Sequence, residues 1–176
     1  ARWCHAEGVR LISDEIYHGL SWGTVAESSA AAFSESAVVV NSFSKYWSMT
    51  GWRIGWLLLP DDLIRPVECL AQNMCISAPH IAQVTAEAAM DCSEELEGNK
   101  AAYARSRTAL LAGLPKAGFD RIAAADGAFY LWCDVSALTN DSAAFSAAML
   151  EGAGVAATAG LDFDRGRGGR FLRFSY

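Results

Sequence analysis

The sequence predicts an α/β fold with a largely parallel sheet, followed by an α+β unit of helices and short strands. Up to Leu59, apolar runs of strand length alternate with connecting segments, which is typical of an α/β layer. Residues 61–113 have the caps and lengths of long helices. Beyond residue 113, short alternating runs surround one further helical segment, which indicates the α+β unit.

Three strands are expected in the α/β part. The apolar runs at residues 9–13, 37–41 and 54–59 have the length and composition of buried strands. Pro60 ends the third strand because it cannot donate a hydrogen bond to a sheet. The residues before Gly8 have the composition of a helix end, with this glycine as the C-cap.

Three helices are expected to follow these strands. Asp61 is a suitable N-cap for a helix over residues 61–75, since a short acceptor side chain can bind the N–H groups of the first turn. Pro79 favours the start of a second helix. Ser93 caps a longer helix that ends near Gly113. These helices are expected to link the two parts of the chain.

The C-terminal part is expected to contain three strands and one helix. Strands at residues 119–123 and 128–134 flank a turn at Asp126-Gly127. A helix begins at Asn140, and an alternating strand occupies residues 170–176. Since the chain opens within a helix end and closes on a strand, we expect it to be a piece of a longer polypeptide. A compact natural protein with short ends is the alternative.

Composition excludes several classes of protein. The 176 residues are 52% hydrophobic and carry a net charge of −6, so the chain is expected to be globular, without a nucleic acid or membrane partner. No apolar run approaches the roughly 18 residues of a membrane span. The five cysteines are scattered and form no CxxC pair, which argues against zinc and against a disulfide framework. A reducing cytoplasm is the simplest location.

Lys45 is the residue in the most informative setting. It follows the apolar strand at residues 37–41, with Ser42 and Ser44 just before it and Arg53 eight residues after it. Lysine is rarely placed there for packing, because its ammonium is costly to desolvate. An amine held in this way is a nucleophile toward carbonyls, while hydroxyls and a guanidinium suit a phosphate. The combination suggests a phosphorylated aldehyde cofactor.

Asp14 lies at the end of the first predicted strand. In parallel α/β sheets, ligands bind beyond the carboxyl ends of the strands, where we expect both Asp14 and Lys45. A plain ion pair between these two side chains is an alternative. That alternative leaves Tyr17, the two serines and the arginine unexplained.

Four short motifs occur in a fixed order along the chain. They are Asp14-Glu15-Ile16-Tyr17, Ser42-Phe43-Ser44-Lys45 with Arg53-Ile54-Gly55, the turn Ala157-Thr158-Ala159-Gly160-Leu161-Asp162-Phe163, and Phe171-Leu172-Arg173-Phe174-Ser175. Together they resemble the fold-type I pyridoxal-phosphate (PLP) enzymes, specifically the class I/II aminotransferases related to aspartate aminotransferase. Ala159 stands where that family usually has proline. The resemblance covers nearly all of this chain but only about the second half of a typical family member.

The resemblance implies a role for each site residue. Asp14 would bind the protonated ring nitrogen of PLP, Tyr17 its phenolic oxygen, and Lys45 would form the Schiff base and then move the substrate proton. Ser42, Ser44 and Arg53 would hold the phosphate.

Arg173 would bind the α-carboxylate of the substrate through its guanidinium fork. The resemblance also implies amino acid and 2-oxo acid substrates, a homodimer, and little activity for this chain alone. It divides the chain into a partial large domain (1–75), linking helices (76–113) and a truncated C-terminal small domain (114–176).

Two alternatives to transamination remain open at this point. A C–S lyase, a decarboxylase or an acyl-transferring synthase would use the same scaffold, and Asp14, Lys45 and Arg53 do not discriminate among them. The other alternative is a non-catalytic effector domain of a transcription regulator. No metal site is expected in any of these cases.

Overall fold

The first part of the chain forms a three-stranded sheet in the computed structural model, which describes residues 1–24 and 26–176. Its strands are β1 (Ile12–Asp14), β2 (Val38–Ser42) and β3 (Gly55–Leu58), in the order β1-β2-β3. Strand β2 pairs with β1 in parallel and with β3 in antiparallel orientation. The chain reaches β3 through a loop with a single 3₁₀ turn instead of a crossover helix, which accounts for the antiparallel pairing.

The register brings the polar ends of β1 and β2 to one edge of the sheet. Asp14 pairs with Val40, so the residues after each strand leave the sheet on the same side. Ser42 pairs with Gly55, where a Cβ would lie 2.5 Å from the Asn41 carbonyl oxygen. Only glycine therefore allows β3 to approach β2 so closely at the start of the strand.

The edge strands are more exposed than their apolar sequences suggest. Helix α1 (Arg2–Ala6) precedes β1, which is shorter than the strand expected at residues 9–13 and leaves Ile12 67% exposed. All four residues of β3 are also exposed. In the central strand, by contrast, Val38 and Val39 are buried. Of the three strands in this sheet, β2 alone has a strand neighbour on both sides within the described residues, and this explains the difference.

Three helices follow β3 and confirm the helices expected from the sequence. They are α2 (Asp61–Met74), α3 (His80–Ala89) and α4 (Ser93–Gly113). Pro60, not the following aspartate, occupies the N-cap of α2. The acidic side chains in the first turns of α2 and α4 still face the positive end of each helix dipole.

The C-terminal part forms an antiparallel sheet with one helix. Strands β4 (Tyr130–Asp134), β5 (Thr158–Ala159) and β6 (Phe171–Ser175) are arranged in the order β4-β6-β5 within the described residues. Helix α5 (Ser142–Ala153) connects β4 to β5 and begins with a hydrogen bond from the Ala144 N–H to the Asp141 side chain, at 3.0 Å. The α+β arrangement expected for this part is confirmed.

Alternation along β4 and β6 builds the core of this part. The inward residues Leu131, Cys133 and Leu172 are completely buried, and their neighbours along each strand are half-buried. The expected strand at residues 119–123 is wrong as a full strand, since it is reduced to one bridge between Ile122 and Cys133. Its few backbone hydrogen bonds to β4 do not extend into a ladder.

The described residues form two compact units, Ala1–Lys100 and Ala101–Tyr176. The boundary lies within α4 and therefore inside the segment 76–113 that the sequence predicts to link the domains. The three-part division at residues 75 and 113 stays a prediction. No helix in the described ranges combines the length and the apolarity needed to cross a membrane.

Candidate active site

Lys45 lies in a tight turn that an aromatic cluster holds in place. The Ser48 N–H donates to the Lys45 carbonyl at 3.0 Å and closes the turn. Phe43, two residues before Lys45, is buried, and its ring contacts those of Trp47 and Trp56, with centroids 5.0 and 5.1 Å away. The buried Phe43 ring and the two tryptophans packed on it support the turn, while Lys45 itself is half-buried.

Tyr17 and Lys45 are brought together. The Lys45 Nζ lies 5.7 Å from the centre of the Tyr17 ring, within the range of a cation–π contact. Asp14 is three residues before Tyr17, exposed at the end of β1, and its Oδ1 accepts a hydrogen bond from the Ile16 N–H at 3.2 Å. This bond stabilises the turn that carries the tyrosine toward the lysine.

Glu15 anchors the segment between Asp14 and Tyr17. It is 6% exposed, and its Oε1 accepts the Ala30 N–H at 2.8 Å. Burial raises the pKa of Glu15, but hydrogen bonds from the Ala30 N–H and from the hydroxyls of Ser29 and Ser13 together outweigh it, so the pKa is lowered. Its other oxygen lies 3.5 Å from the His18 Nδ1. No local pattern indicates a role for Glu15, because its backbone partner Ala30 is 15 residues away.

Ser42, Ser44 and Arg53 line one cavity of about 530 Å³ beside β2 and α2. The Ser42 hydroxyl accepts the Ser44 N–H at 3.0 Å and lies 2.9 Å from the Ser44 hydroxyl and 3.1 Å from the Ile54 carbonyl oxygen. A single hydroxyl hydrogen can donate to only one of the last two. The serine pair can therefore exchange an internal hydrogen bond for one to a ligand.

Arg53 is oriented by its backbone. Its φ is 52°, a left-handed conformation that is unfavourable for residues with a Cβ and is often found at functional sites. One guanidinium nitrogen, Nη1, donates to the Thr50 carbonyl at 2.9 Å. The exposed guanidinium carries further N–H donors and its charge, which suits an anion in the cavity.

Arg173 lies in the second unit, on the central strand β6. Its guanidinium carbon is 4.2 Å from the centre of the Tyr130 ring and 4.4 Å from that of Phe163. Its Nε is buried and has no hydrogen-bond partner among the described residues. The nearby Arg165, Arg167 and Arg170 are exposed. Tyr130 has no local sequence signal as a neighbour of Arg173; the register of β4 against β6 places its ring there.

The structure thus brings the predicted site residues together in two groups within the first unit. One group is the serine pair with Arg53, and the other is Tyr17 with Lys45. Arg173 has its own aromatic setting in the second unit. Among the described residues, no group of three or more histidine, cysteine, aspartate or glutamate side chains is arranged to hold a metal ion.

Comparison with known families identifies the scaffold. The family model "Aminotransferase class I and II" matches residues 1–176. The chain belongs to the class I and II aminotransferases. It is 51% identical to the valine–pyruvate aminotransferase of Mycobacterium tuberculosis over 100% of this chain and 46% of that protein. It is 31% identical to the arginine–pyruvate transaminase of Pseudomonas aeruginosa, over 93% of this chain and 42% of that protein.

A solved aminotransferase structure has the same fold. The crystal structure of an aminotransferase from Mycobacterium tuberculosis superimposes with a TM-score of 0.96 at 50% identity, covering 99% of this chain and 46% of that chain. This likeness confirms the fold class predicted for this aminotransferase chain. The chain spans about half the length of the relatives it matches.

Proposed function

We propose that this chain carries the lysine-bearing half of the active site of a PLP-dependent aminotransferase, which moves an amino group from an L-amino acid to a 2-oxo acid. The observation that supports it most is the setting of Lys45, half-buried after β2 with its Nζ 5.7 Å from the Tyr17 ring centre. A partly desolvated amine is a good nucleophile toward a carbonyl. Membership of the family supports the same cofactor.

The residues of the first unit fit this cofactor. When bound, PLP supplies a protonated ring that withdraws electrons from the substrate α-carbon. Ser42, Ser44 and Arg53 share one cavity, with hydroxyl donors and a positive charge suited to a phosphate. Asp14, at the end of β1, would hold the proton of the ring nitrogen, and Tyr17 would donate to the phenolic oxygen.

Lys45 and Arg173 would act on the substrate. With the cofactor bound, the Lys45 amine would take a proton from the substrate α-carbon as a general base and return it as a general acid. Arg173 would bind the α-carboxylate, because its buried Nε has no partner among the described residues and a carboxylate would satisfy it.

Transamination is favoured over the other reactions of this scaffold by the relatives. The two relatives described above are named for amino transfer to pyruvate. Valine with pyruvate is the first substrate pair to assay, because the relative with that name is 51% identical. With valine alone, formation of its 2-oxo acid together with the aminated cofactor supports transamination. Release of ammonia and pyruvate from an amino acid with a sulfur leaving group, without the aminated cofactor, supports a C–S lyase.

The chain alone is expected to have little or no transaminase activity. It spans 46% of the valine–pyruvate aminotransferase that it resembles. The family resemblance implies that part of the PLP site lies in the other half of the protein. The assay is turnover of valine and pyruvate by the purified 176-residue chain with added PLP. Measurable turnover contradicts this expectation.

We also propose a cytoplasmic homodimer for the working protein. Helix α2 leaves Leu70 and Met74 59% and 77% exposed, an apolar surface that a second subunit would cover. All five cysteines are free thiols, which fits a reducing compartment. Light scattering at micromolar concentration tests the assembly, with a dimer mass as the supporting result and a strictly monomeric mass as the contradicting one.

Borohydride trapping tests the assignment of Lys45. The sequence contains three lysines, Lys45, Lys100 and Lys116, so peptide mapping can locate a reduced PLP adduct unambiguously. The expected result is an adduct mainly at Lys45, lost in Lys45→Ala and retained in the control Lys116→Ala. An adduct that persists undiminished in Lys45→Ala refutes the assignment.

A further inference from the structure

Tyr46, the residue after the proposed cofactor lysine, contacts two other segments of the first unit. Its hydroxyl donates to Oε1 of Glu97, in α4, at 2.7 Å. Its ring lies directly on Gly19, since a Cβ added there would be 2.5 Å from Cγ and Cδ2 of the ring. The hydrogen bond to Glu97 raises the pKa of Tyr46 to about 12, because the carboxylate accepts from the protonated hydroxyl.

Further hydrogen bonds hold the segment around Gly19 and the turn that carries Lys45. The Gly19 N–H donates to both carboxylate oxygens of Glu27, at 3.0 and 2.9 Å. Gly19 has a φ of +91°, which a residue with a Cβ adopts only under strain. On the other side of the lysine turn, Asn99 of α4 donates to the Ser48 hydroxyl at 3.3 Å. The turn that carries the lysine is therefore connected to α4 at two points.

We propose that Tyr46 and Glu97 are positioning residues that hold Lys45 against Tyr17. Lys45 directly precedes Tyr46, and Tyr17 is two residues before Gly19, so the contact between the Tyr46 ring and Gly19 fixes the spacing of both segments. The hydrogen bond to Glu97 holds the ring on the glycine. Without it, the ring is restrained only by Gly19 and by the Trp47 ring, whose centroid is 5.2 Å away, and the lysine amine samples more positions.

This proposal rests on the proposed function of Lys45, and the test separates the two. The probe is PLP added to the purified 176-residue chain. The lysine amine condenses with the PLP aldehyde with loss of water, and borohydride then delivers hydride to the C=N carbon, leaving a stable secondary amine. Mass spectrometry gives the ratio of label at Lys45 to label at Lys116, which lies in the second unit and serves as an internal reference.

Four variants give the comparison. Tyr46→Phe and Glu97→Ala remove the hydrogen bond, whereas Glu97→Gln keeps an acceptor oxygen at the same place. Tyr176→Phe is the matched control, since its hydroxyl bonds to the Ala128 carbonyl in the second unit. We expect the label ratio to fall about two- to tenfold in the first two variants. It should stay within about twofold of the wild-type value in Glu97→Gln and Tyr176→Phe.

The outcomes distinguish the positioning role from the function and from folding. If the wild-type chain favours Lys45 and neither Tyr46→Phe nor Glu97→Ala lowers the ratio, the positioning role is overturned and the assignment of Lys45 stands. If the wild-type chain shows no preference for Lys45, the proposed function falls, and the positioning role with it. Thermal unfolding of each variant, followed by circular dichroism, identifies any loss of label that comes from unfolding. A loss in Glu97→Gln equal to that in Glu97→Ala, both being folded, also overturns the role of the hydrogen bond.

Discussion

The guanidinium carbon of Arg173 lies 4.2 Å from the centre of the Tyr130 ring on the neighbouring strand. Trp132 is the residue directly opposite Arg173, and Tyr130 is two residues earlier on the same face of β4. Phe163 covers the guanidinium at 4.4 Å. The two rings restrain the planar group, so its orientation is fixed by contacts within the second unit.

Tyr130 is expected to stabilise the second unit through its ring and not only through its apolar area. Tyr130→Leu should lower the free energy of unfolding by about 1 kcal/mol relative to Tyr130→Phe, because leucine removes the π face that contacts the Arg173 guanidinium. The comparison of Phe with Leu excludes any effect of the hydroxyl. Urea denaturation of both variants gives the difference, and equal stabilities would show that the cation–π contact contributes nothing measurable.

Gly55 is expected to tolerate no side chain. A Cβ at this position would lie 2.5 Å from the Asn41 carbonyl oxygen, so Gly55→Ala must push β3 away from β2. We expect a loss of about 1–3 kcal/mol in the free energy of unfolding. Gly51→Ala, four residues earlier, is the matched control, because a Cβ there meets no atom within 4 Å. Thermal or urea unfolding measures both, and comparable losses in the two variants would contradict the close approach.

Local patterns were sufficient to predict that Lys45 follows a buried strand and that three helices come after it. Lys45 follows the run of valines at residues 38–40 after four further residues, and this run becomes part of the central strand β2. Caps and proline positions placed α2, α3 and α4 to within two residues, because these signals act within a single turn. Family motifs then identified the chemistry that a lysine in this setting can perform.

Long-range pairings and backbone strain could not be predicted in the same way. The contact of Arg173 with Tyr130 depends on the register of β4 against β6, which brings together these two residues from 43 positions apart. The left-handed backbone of Arg53 has no signal in its side chain type. The exposure of Ile12 was not expected either, because an apolar strand residue is expected to be covered on both faces of an α/β sheet.

Cys133 is expected to be unreactive in the folded chain. It lies in β4 and is completely buried, and burial raises the pKa of its thiol to about 11. At pH 8 the thiol is therefore protonated as well as inaccessible, whereas Cys69 and Cys75 are exposed. Titration with a thiol reagent, followed by peptide mapping, should label the two exposed cysteines at least about tenfold faster. Equal labelling before denaturation would contradict the burial of Cys133.

Glu15 is expected to make the stability of the first unit depend on pH below its ordinary pKa of 4.5. Hydrogen bonds from the Ala30 N–H and from two serine hydroxyls lower the pKa in the folded state despite burial, so they stabilise the charged carboxylate. The stabilisation is present above pH 4.5 and is lost as the pH falls through the lower folded pKa.

Glu15→Gln removes the charge while retaining one acceptor oxygen for the Ala30 N–H. At pH 7 we expect this variant to be about 1 kcal/mol less stable than the wild-type chain, because hydrogen bonds to a charged group are stronger than those to a neutral one. The difference should shrink as the pH is lowered from 5 to about 3, since both side chains are then neutral. Urea midpoints across this range measure it, with Glu35→Gln at an exposed position as the control. A difference that stays constant with pH would mean that the buried carboxylate is not held in its charged form.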